Sequence, residues 1–166
     1  MLPRILKNFN LFVDGNSYIG KADEVVLPKL ALKTEEYRAG GLDTPVEIEM
    51  GTEKLNMEFS LSEFNPDTLS LWGLTTGGLK TVSLRGSLEN EFTIDRLNVQ
   101  GYGRVKEIDS GTLKAHERST IKFVMSLLYY KLSVGSKNII EVDVINMRRV
   151  INGFDQILLR RLNLGL

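Results

Sequence analysis

His116 is the only imidazole in a chain of 166 residues that has no cysteine, so metal or nucleophile chemistry has few residues to work with. A zinc site needs three or four nitrogen, sulfur or carboxylate ligands converging, and no second nitrogen or sulfur ligand exists here. His116 sits in the polar stretch Lys114-Ala115-His116-Glu117-Arg118, the setting of a solvated loop. A serine triad would have to use this one base, and no Gly-x-Ser-x-Gly elbow accompanies it. The run Gly73 to Thr81, GLTTGGLKT, comes close to a phosphate-binding loop. Its Lys80 falls one residue late, and a strand pattern follows where that motif needs a helix. The run reads instead as a helix stop followed by a turn. Gly101-Tyr102-Gly103 lacks the third glycine and the helix of a dinucleotide site, and reads as a place where backbones approach closely. Glu47, Glu49 and Glu58 lie on polar strand faces, and carboxylates of that kind do acid–base work only in a water-excluding cleft with separated pKa values. No enzyme motif survives, and no cofactor or metal is expected.

The elements that position these residues are mostly strands. Leu55, Met57, Phe59 and Leu61 alternate with polar residues, as one face of a half-buried strand does. Val46, Ile48 and Met50 alternate with Glu47 and Glu49 in the same way, as do Val82 and Leu84 with Ser83 and Arg85, and Ile140, Val142 and Val144 with Glu141 and Asp143. From Ile121 to Val134 both parities are apolar, which predicts a central strand covered on both faces. Between Glu91 and Val99 the apolar parity shifts from Phe92 and Ile94 to Leu97 and Val99, which predicts a bulge near Asp95-Arg96.

Turns separate the strands. Asp14-Gly15-Asn16 and Asn152-Gly153 read as hairpin turns, and Pro28 and Pro45 suit strand starts. One helix is expected after Asn65, with Pro66 and Asp67 in its first turn, Leu69 and Trp72 on one face, and Gly73 or Gly77-Gly78 as its stop. A weaker helical turn is expected over residues 155–161. Residues 34–45, centred on Gly40-Gly41, read as a long loop, and a long loop in a compact domain usually carries function. The fold expected is mainly β: one domain, a β-sandwich or barrel with one packed α-helix.

Bulk numbers narrow the classes. Composition is 42% hydrophobic and 25% charged, ordinary for a globular domain. Lys plus Arg and Asp plus Glu number 21 each, so the basic excess of a dedicated nucleic-acid binder is missing. A net charge of zero also removes the self-repulsion that keeps copies apart. The start carries no apolar run suited to a signal peptide, and the stretch from Phe123 to Tyr130 is far shorter than the roughly 20 residues of a bilayer span. A cytosolic product without stable membrane association is expected.

Several stretches, in order, resemble the major tail-tube protein of contractile-tailed phages and the tube subunit of R-type pyocins. They are Asn10-Leu11-Phe12-Val13-Asp14-Gly15; Leu27-Pro28-Lys29-Leu30-Ala31-Leu32-Lys33-Thr34-Glu35-Glu36-Tyr37-Arg38-Ala39-Gly40-Gly41; and Lys106-Glu107-Ile108-Asp109-Ser110-Gly111 with Lys114. Tyr129-Tyr130-Lys131-Leu132, Glu141-Val142-Asp143, Asn146-Met147, Ile151-Asn152-Gly153-Phe154-Asp155 and the closing Asn163-Leu164-Gly165-Leu166 continue the series. The resemblance runs end to end, weakest over residues 60–100.

It implies a structural protein over residues 1–166, with hexameric rings whose sheets join into one continuous β-barrel and stack as a hollow tube. That tube, driven through a target envelope, conducts DNA in a phage or ions in a bacteriocin. The implied partners are other copies of the chain, a tail sheath protein, a baseplate or tail initiator, a tape-measure protein, and DNA passing transiently through the lumen. The implied location is a virion tail or bacteriocin particle, with assembly in the host cytoplasm. An inter-ring stacking segment is expected over residues 34–52, with Tyr37, Arg38, Ala39, Gly40, Gly41, Leu42 and Asp43 at its tip. Glu47, Glu49 and Glu58 are candidate lumen residues, because a conduit for DNA should not grip phosphates. The mixed charges of Arg104, Lys106, Glu107 and Asp109, and of Glu141, Asp143, Arg148 and Arg149, suit subunit contacts in which opposite signs fix register. The alternatives are a type VI secretion tube protein, a monomeric β-barrel binding module and, third, a hydrolase.

Overall fold

The computed structural model describes residues 2–166. Its strands are β1 (Ile5–Val13), β2 (Asn16–Ser17), β3 (Ala22–Val26), β4 (Leu32–Tyr37), β5 (Val46–Thr52), β6 (Asn56–Leu61), β7 (Leu79–Glu89), β8 (Ile94–Asp109), β9 (Ile121–Val134), β10 (Lys137–Asp143), β11 (Arg148–Ile151) and β12 (Phe154–Asp155). Two short helices, α1 (Pro66–Leu69) and α2 (Leu158–Asn163), complete it. Ten strands form one sheet in the order β12-β11-β10-β9-β8-β7-β1-β2, with β6 joining β9 and β3 joining β6. The strands β4 and β5 stand apart as a two-stranded sheet.

The core lies where this sheet folds over itself. Leu11 and Val13 of β1, Val82 and Leu84 of β7, and Val99 of β8 face inward and meet Met57, Phe59 and Leu61 of β6, all buried. Phe59 and Phe123 are register partners between β6 and β9, and their rings stack with centroids 4.9 Å apart. The turn at Asp14-Gly15 joins Val13 to Asn16 with both turn residues at positive φ, as the sequence predicts, and Asn152-Gly153 repeats this between Ile151 and Phe154.

The two apolar parities of β9 have a different cause from the one expected. Tyr102 pairs with Tyr129 but Gly103 pairs with Leu127, so Leu128 is an extra residue in the ladder. Ile121, Phe123, Met125 and Leu127 point into the core before this bulge and Tyr130 after it. A bulge flips the inward parity, and the strand needs no cover over its whole second face. Gly103 is required there: a Cβ at that position would lie 2.0 Å from the Ser126 carbonyl oxygen. The close approach read from Gly101-Tyr102-Gly103 is thus observed.

The bulge expected at Asp95-Arg96 is not present. The β7–β8 register runs unbroken from Leu79–Arg104 to Glu89–Ile94. Phe92 lies in the hairpin turn and Ile94 on the outward face, and both are exposed. Their apolar character marks surface, so the buried parity never changes. α1 is also shorter than expected: Asn65 caps it, its side chain accepting from the Asp67 amide at 2.8 Å, but it closes after one turn at Leu69. Trp72 falls beyond it, in a turn, and its Nε1 donates to the Lys106 carbonyl at 3.0 Å. The C-terminal turn expected at 155–161 lies slightly later, as α2. Pro28 sits in the link between β3 and β4, whereas Pro45 directly precedes β5.

Candidate functional site

The segment read as a loop over residues 34–45 begins as strand. β4 runs to Tyr37, and only residues 38–45 form the tip, where the Arg38 side chain donates to the Asp43 carbonyl at 3.2 Å. Tyr37, Arg38, Gly40, Gly41, Leu42 and Asp43 therefore crown a projecting β4–β5 hairpin, with Ala39 half-buried among them. The link Leu27–Ala31 and residues 53–55 carry it away from the main sheet.

Directly opposed residues of an antiparallel pair share a face. Tyr37 opposes Val46, Glu35 opposes Ile48, and Met50 continues that side. The other side holds Thr34 opposite Glu49 and Glu36 opposite Glu47. The amphipathic pattern is read correctly in the sequence, but its orientation is inverted. Val46, Ile48 and Met50, expected to be buried, are 46%, 45% and 51% exposed, and Tyr37 is 52% exposed.

The polar side is the one tied to the body. Arg160 of α2 donates to one Glu49 carboxylate oxygen at 2.8 Å and Arg149 of β11 to the other at 3.1 Å. Those bonds, from Arg160 first and Arg149 second, hold the Glu49 carboxyl below the usual carboxylate range. Glu36 and Glu47 face each other without an ion pair among the described residues, a repulsive arrangement unless a cation comes from outside. Under the base of the hairpin lies a hollow of about 390 Å³ walled by Leu30, Leu32, Leu55, Ile140, Val142 and Ile151.

The remaining site residues expected from the sequence scatter. Glu58 is on β6, paired with Lys122 at 2.9 Å, so it shares neither face nor sheet with Glu47 and Glu49. Arg104, Lys106, Glu107 and Asp109 crowd the exposed end of β8. Asp143 opposes Arg148 across β10–β11. Partial burial raises the Asp143 carboxyl, but hydrogen bonds from the Asn146 side chain and from the Asn146 and Ile145 amides, with Arg148 nearby, bring it below its ordinary value. Arg149 is already engaged by Glu49 within the chain. His116 is exposed on a turn with φ of 63°, and no cluster of metal-ligating side chains occurs among the described residues.

Sequence reasoning missed two surfaces. Leu158, Leu159, Leu162, Leu164 and Leu166 are all exposed around α2, and Leu2, Ile5, Phe92 and Ile94 are exposed at the start of β1 and the β7–β8 turn. The density of leucines in the last nine residues was a visible signal. The sheet is also open at both ends: β2 pairs with Phe12 and Val13 and the Tyr18 amide donates to the Leu11 carbonyl, leaving the β1 edge from Ile5 to Asn10 without a strand partner, and β12 is two residues long. Exposed apolar patches and bare strand edges of this extent are features of a surface that meets other proteins.

Comparison with known proteins decides which kind. The family model for phage tail tube protein FII matches residues 3–165. The chain belongs to the phage tail tube family. It is 38% identical over 172 aligned positions to the tail tube protein of Escherichia phage P2, covering 99% of each chain. It is 32% identical over 146 positions to the major tail tube protein of Serratia phage KSP20, covering 87% of this tail tube protein and 85% of that one. Its fold is similar to a chain of the sheath–tube complex of an extracellular contractile injection system, with TM-score 0.59 and 15% identity over 79% of this chain and 91% of the other. A tube-terminating cap of the anti-feeding prophage gives TM-score 0.61 and 15% identity, over 81% and 93%. This tail tube protein is a structural protein, as its relatives are, and not an enzyme.

Proposed function

We propose that copies of this chain close into hexameric rings, that the rings stack into the inner tube of a contractile tail, and that the β4–β5 hairpin makes the stacking contact. The carrying observation is the outward apolar side of that hairpin, Tyr37, Val46, Ile48 and Met50. Burial is worth roughly 25 cal/mol per Å² of apolar surface, and a free subunit leaves this one wet.

The occupant is a second copy. The hairpin is acidic, with Glu35, Glu36, Asp43, Glu47 and Glu49 against Lys33 and Arg38. The C-terminal region offers the complement: exposed leucines, the exposed Arg148, and no acidic side chain after Asp155. The same attraction already operates within one chain between Glu49 and Arg160.

Ring closure has its own support in the two open sheet ends, which pair if the β1 edge of one copy meets the β11–β12 end of the next. The uncovered face of the sheet is polar: Asn10, Arg85, Asn98 and Ser133 lie in one register row, and Ser83, Gln100, Lys131 and Glu141 in the next. That face supplies a wet lumen wall in which Lys131 sits opposite Glu141. It fits the conduit role better than Glu47, Glu49 and Glu58, which do not share one face. The sheath, the baseplate or tail initiator, a tape-measure protein and passing DNA or ions are the partners this reading carries with it.

The test is assembly itself, followed by light scattering and negative-stain electron microscopy, alone and with a nucleating tail assembly. The wild-type chain forms hollow tubes, and Ile48→Asp stays folded but does not. Wild-type protein that remains monomeric under both conditions, or Ile48→Asp tubes at wild-type concentration, would overturn the reading.

A further inference from the structure

We infer that Glu49 is a positioning residue for self-assembly, fixing by its two-arginine bridge which side of the hairpin a second copy meets; this rests on the tube reading above. The hairpin makes no strand pairing with the main sheet. Its own pattern favours the opposite orientation, because a two-stranded ribbon with one apolar and one acidic side would bury the apolar one if free to turn. A place for it exists, the apolar hollow at its base walled by Leu30, Leu55, Ile140 and Val142. The bridge opposes that collapse. Arg149 projects from β11 on the side of Val142, its register partner, and Arg160 from α2, so the two guanidiniums hold one carboxylate from two separate elements. Both arginines reach Glu49 from the body side, which leaves Tyr37, Val46, Ile48 and Met50 facing away. Charge-assisted bonds from two directions fix an orientation as well as a contact. Holding the docking side outward before encounter removes an ordering cost from association.

Glu49 itself is not at the docking surface, so its effect separates from a direct contact. Glu49→Gln keeps the size of the side chain and removes the charge. Its melting temperature stays near wild type, because the core lies elsewhere. The concentration needed for tube growth rises about tenfold, the shift that ~1.4 kcal/mol produces. Trypsin cleaves faster at Lys33 and Arg38, reporting a loosened hairpin. The triple reversal Glu49→Arg, Arg149→Glu and Arg160→Glu in one chain restores assembly. Should that variant fail to fold, Arg160→Gln serves instead and reproduces the Glu49→Gln shift.

Two results overturn the inference while leaving the tube reading intact. One is Glu49→Gln assembling at wild-type concentration. The other is rescue obtained only by mixing a Glu49→Arg chain with an Arg149→Glu, Arg160→Glu chain, which would move the bridge between copies. Failure of the wild-type chain to assemble, even with a nucleating tail, overturns both.

Discussion

Gly103→Ala is expected to be the most damaging single-methyl change in the chain. Its added Cβ would stand 2.0 Å from the Ser126 carbonyl oxygen and 2.8 Å from the Leu127 Cα. Both are backbone atoms of β9, at the point where the Leu128 bulge draws the two strands together. A side chain can rotate away, but here two paired strands must separate by more than an ångström. Overpacking costs about 1–3 kcal/mol, and opening the ladder forfeits about 1 kcal/mol for each hydrogen bond lost, which puts the change near 3 kcal/mol. At roughly 2–4 °C per kcal/mol for a domain of this size, the midpoint falls by about 6–12 °C.

Two other glycines calibrate the argument. At Gly101 the nearest atoms are the ends of the Leu127 side chain, at 3.1 and 3.3 Å, which can yield, so Gly101→Ala should cost about 1 kcal/mol. Gly40 has negative φ and open space around it, so Gly40→Ala should be neutral or stabilise by about 0.4–1 kcal/mol through the unfolded chain. Thermal melts followed by circular dichroism on subunits kept dilute measure all three. A Gly103→Ala midpoint within 2 °C of wild type, or no lower than that of Gly101→Ala, would refute the steric reasoning.

Two further outcomes bear on the core and the C-terminal segment. Phe123→Ala, which removes a fully buried ring stacked on Phe59, should destabilise the subunit by about 3–5 kcal/mol in urea titration, well beyond the effect of the exposed Phe92→Ala. Burial raises the Asp155 carboxyl, but the Ile157 amide and the Arg161 guanidinium, at 3.1 and 2.8 Å, bring it below its usual value. A carboxylate depressed in the folded state stabilises above its unfolded pKa of about 4, and that contribution is lost as pH falls through the lower folded value. Protection of the β11 and α2 amides from hydrogen exchange, relative to their intrinsic rates, should therefore fall below about pH 4, and Asp155→Asn should remove that dependence.

The parts of the fold set by short-range rules were legible. Asp14-Gly15 and Asn152-Gly153 demand positive φ in two-residue turns, and Asn65-Pro66-Asp67 supplies cap, first position and dipole partner together. The β6 core face, Leu55 to Leu61, needed only a period of two. Errors came where one pattern has two causes. Apolar residues of both parities arise from cover on two faces or from a bulge, and only pairing with Gly103 and Tyr102 reveals that β9 has the bulge. Phe92 and Ile94 imitate a parity change because an apolar residue need not be a buried one.

The hairpin shows why that last assumption fails for this class of protein. Alternation along Val46 to Met50 states that one side prefers to leave water, but does not say whether the cover comes from the same chain. In the free subunit it does not, because the arginines of β11 and α2 take the acidic side. The pairing of Glu49 with Arg149 and Arg160 joins residues 100 and 111 positions apart, a relation that no local period encodes. Sequence selected for an assembled tube records burial in the assembly, so strands that look half-buried by pattern yet stand exposed in the subunit mark its contacts. On that criterion Tyr37, Val46, Ile48 and Met50 are the contact we propose, and the exposed leucines of α2 are a second candidate. Both follow from comparing pattern with exposure, and neither from the charges at Arg104 to Asp109, which look the same on a free surface and on an interface.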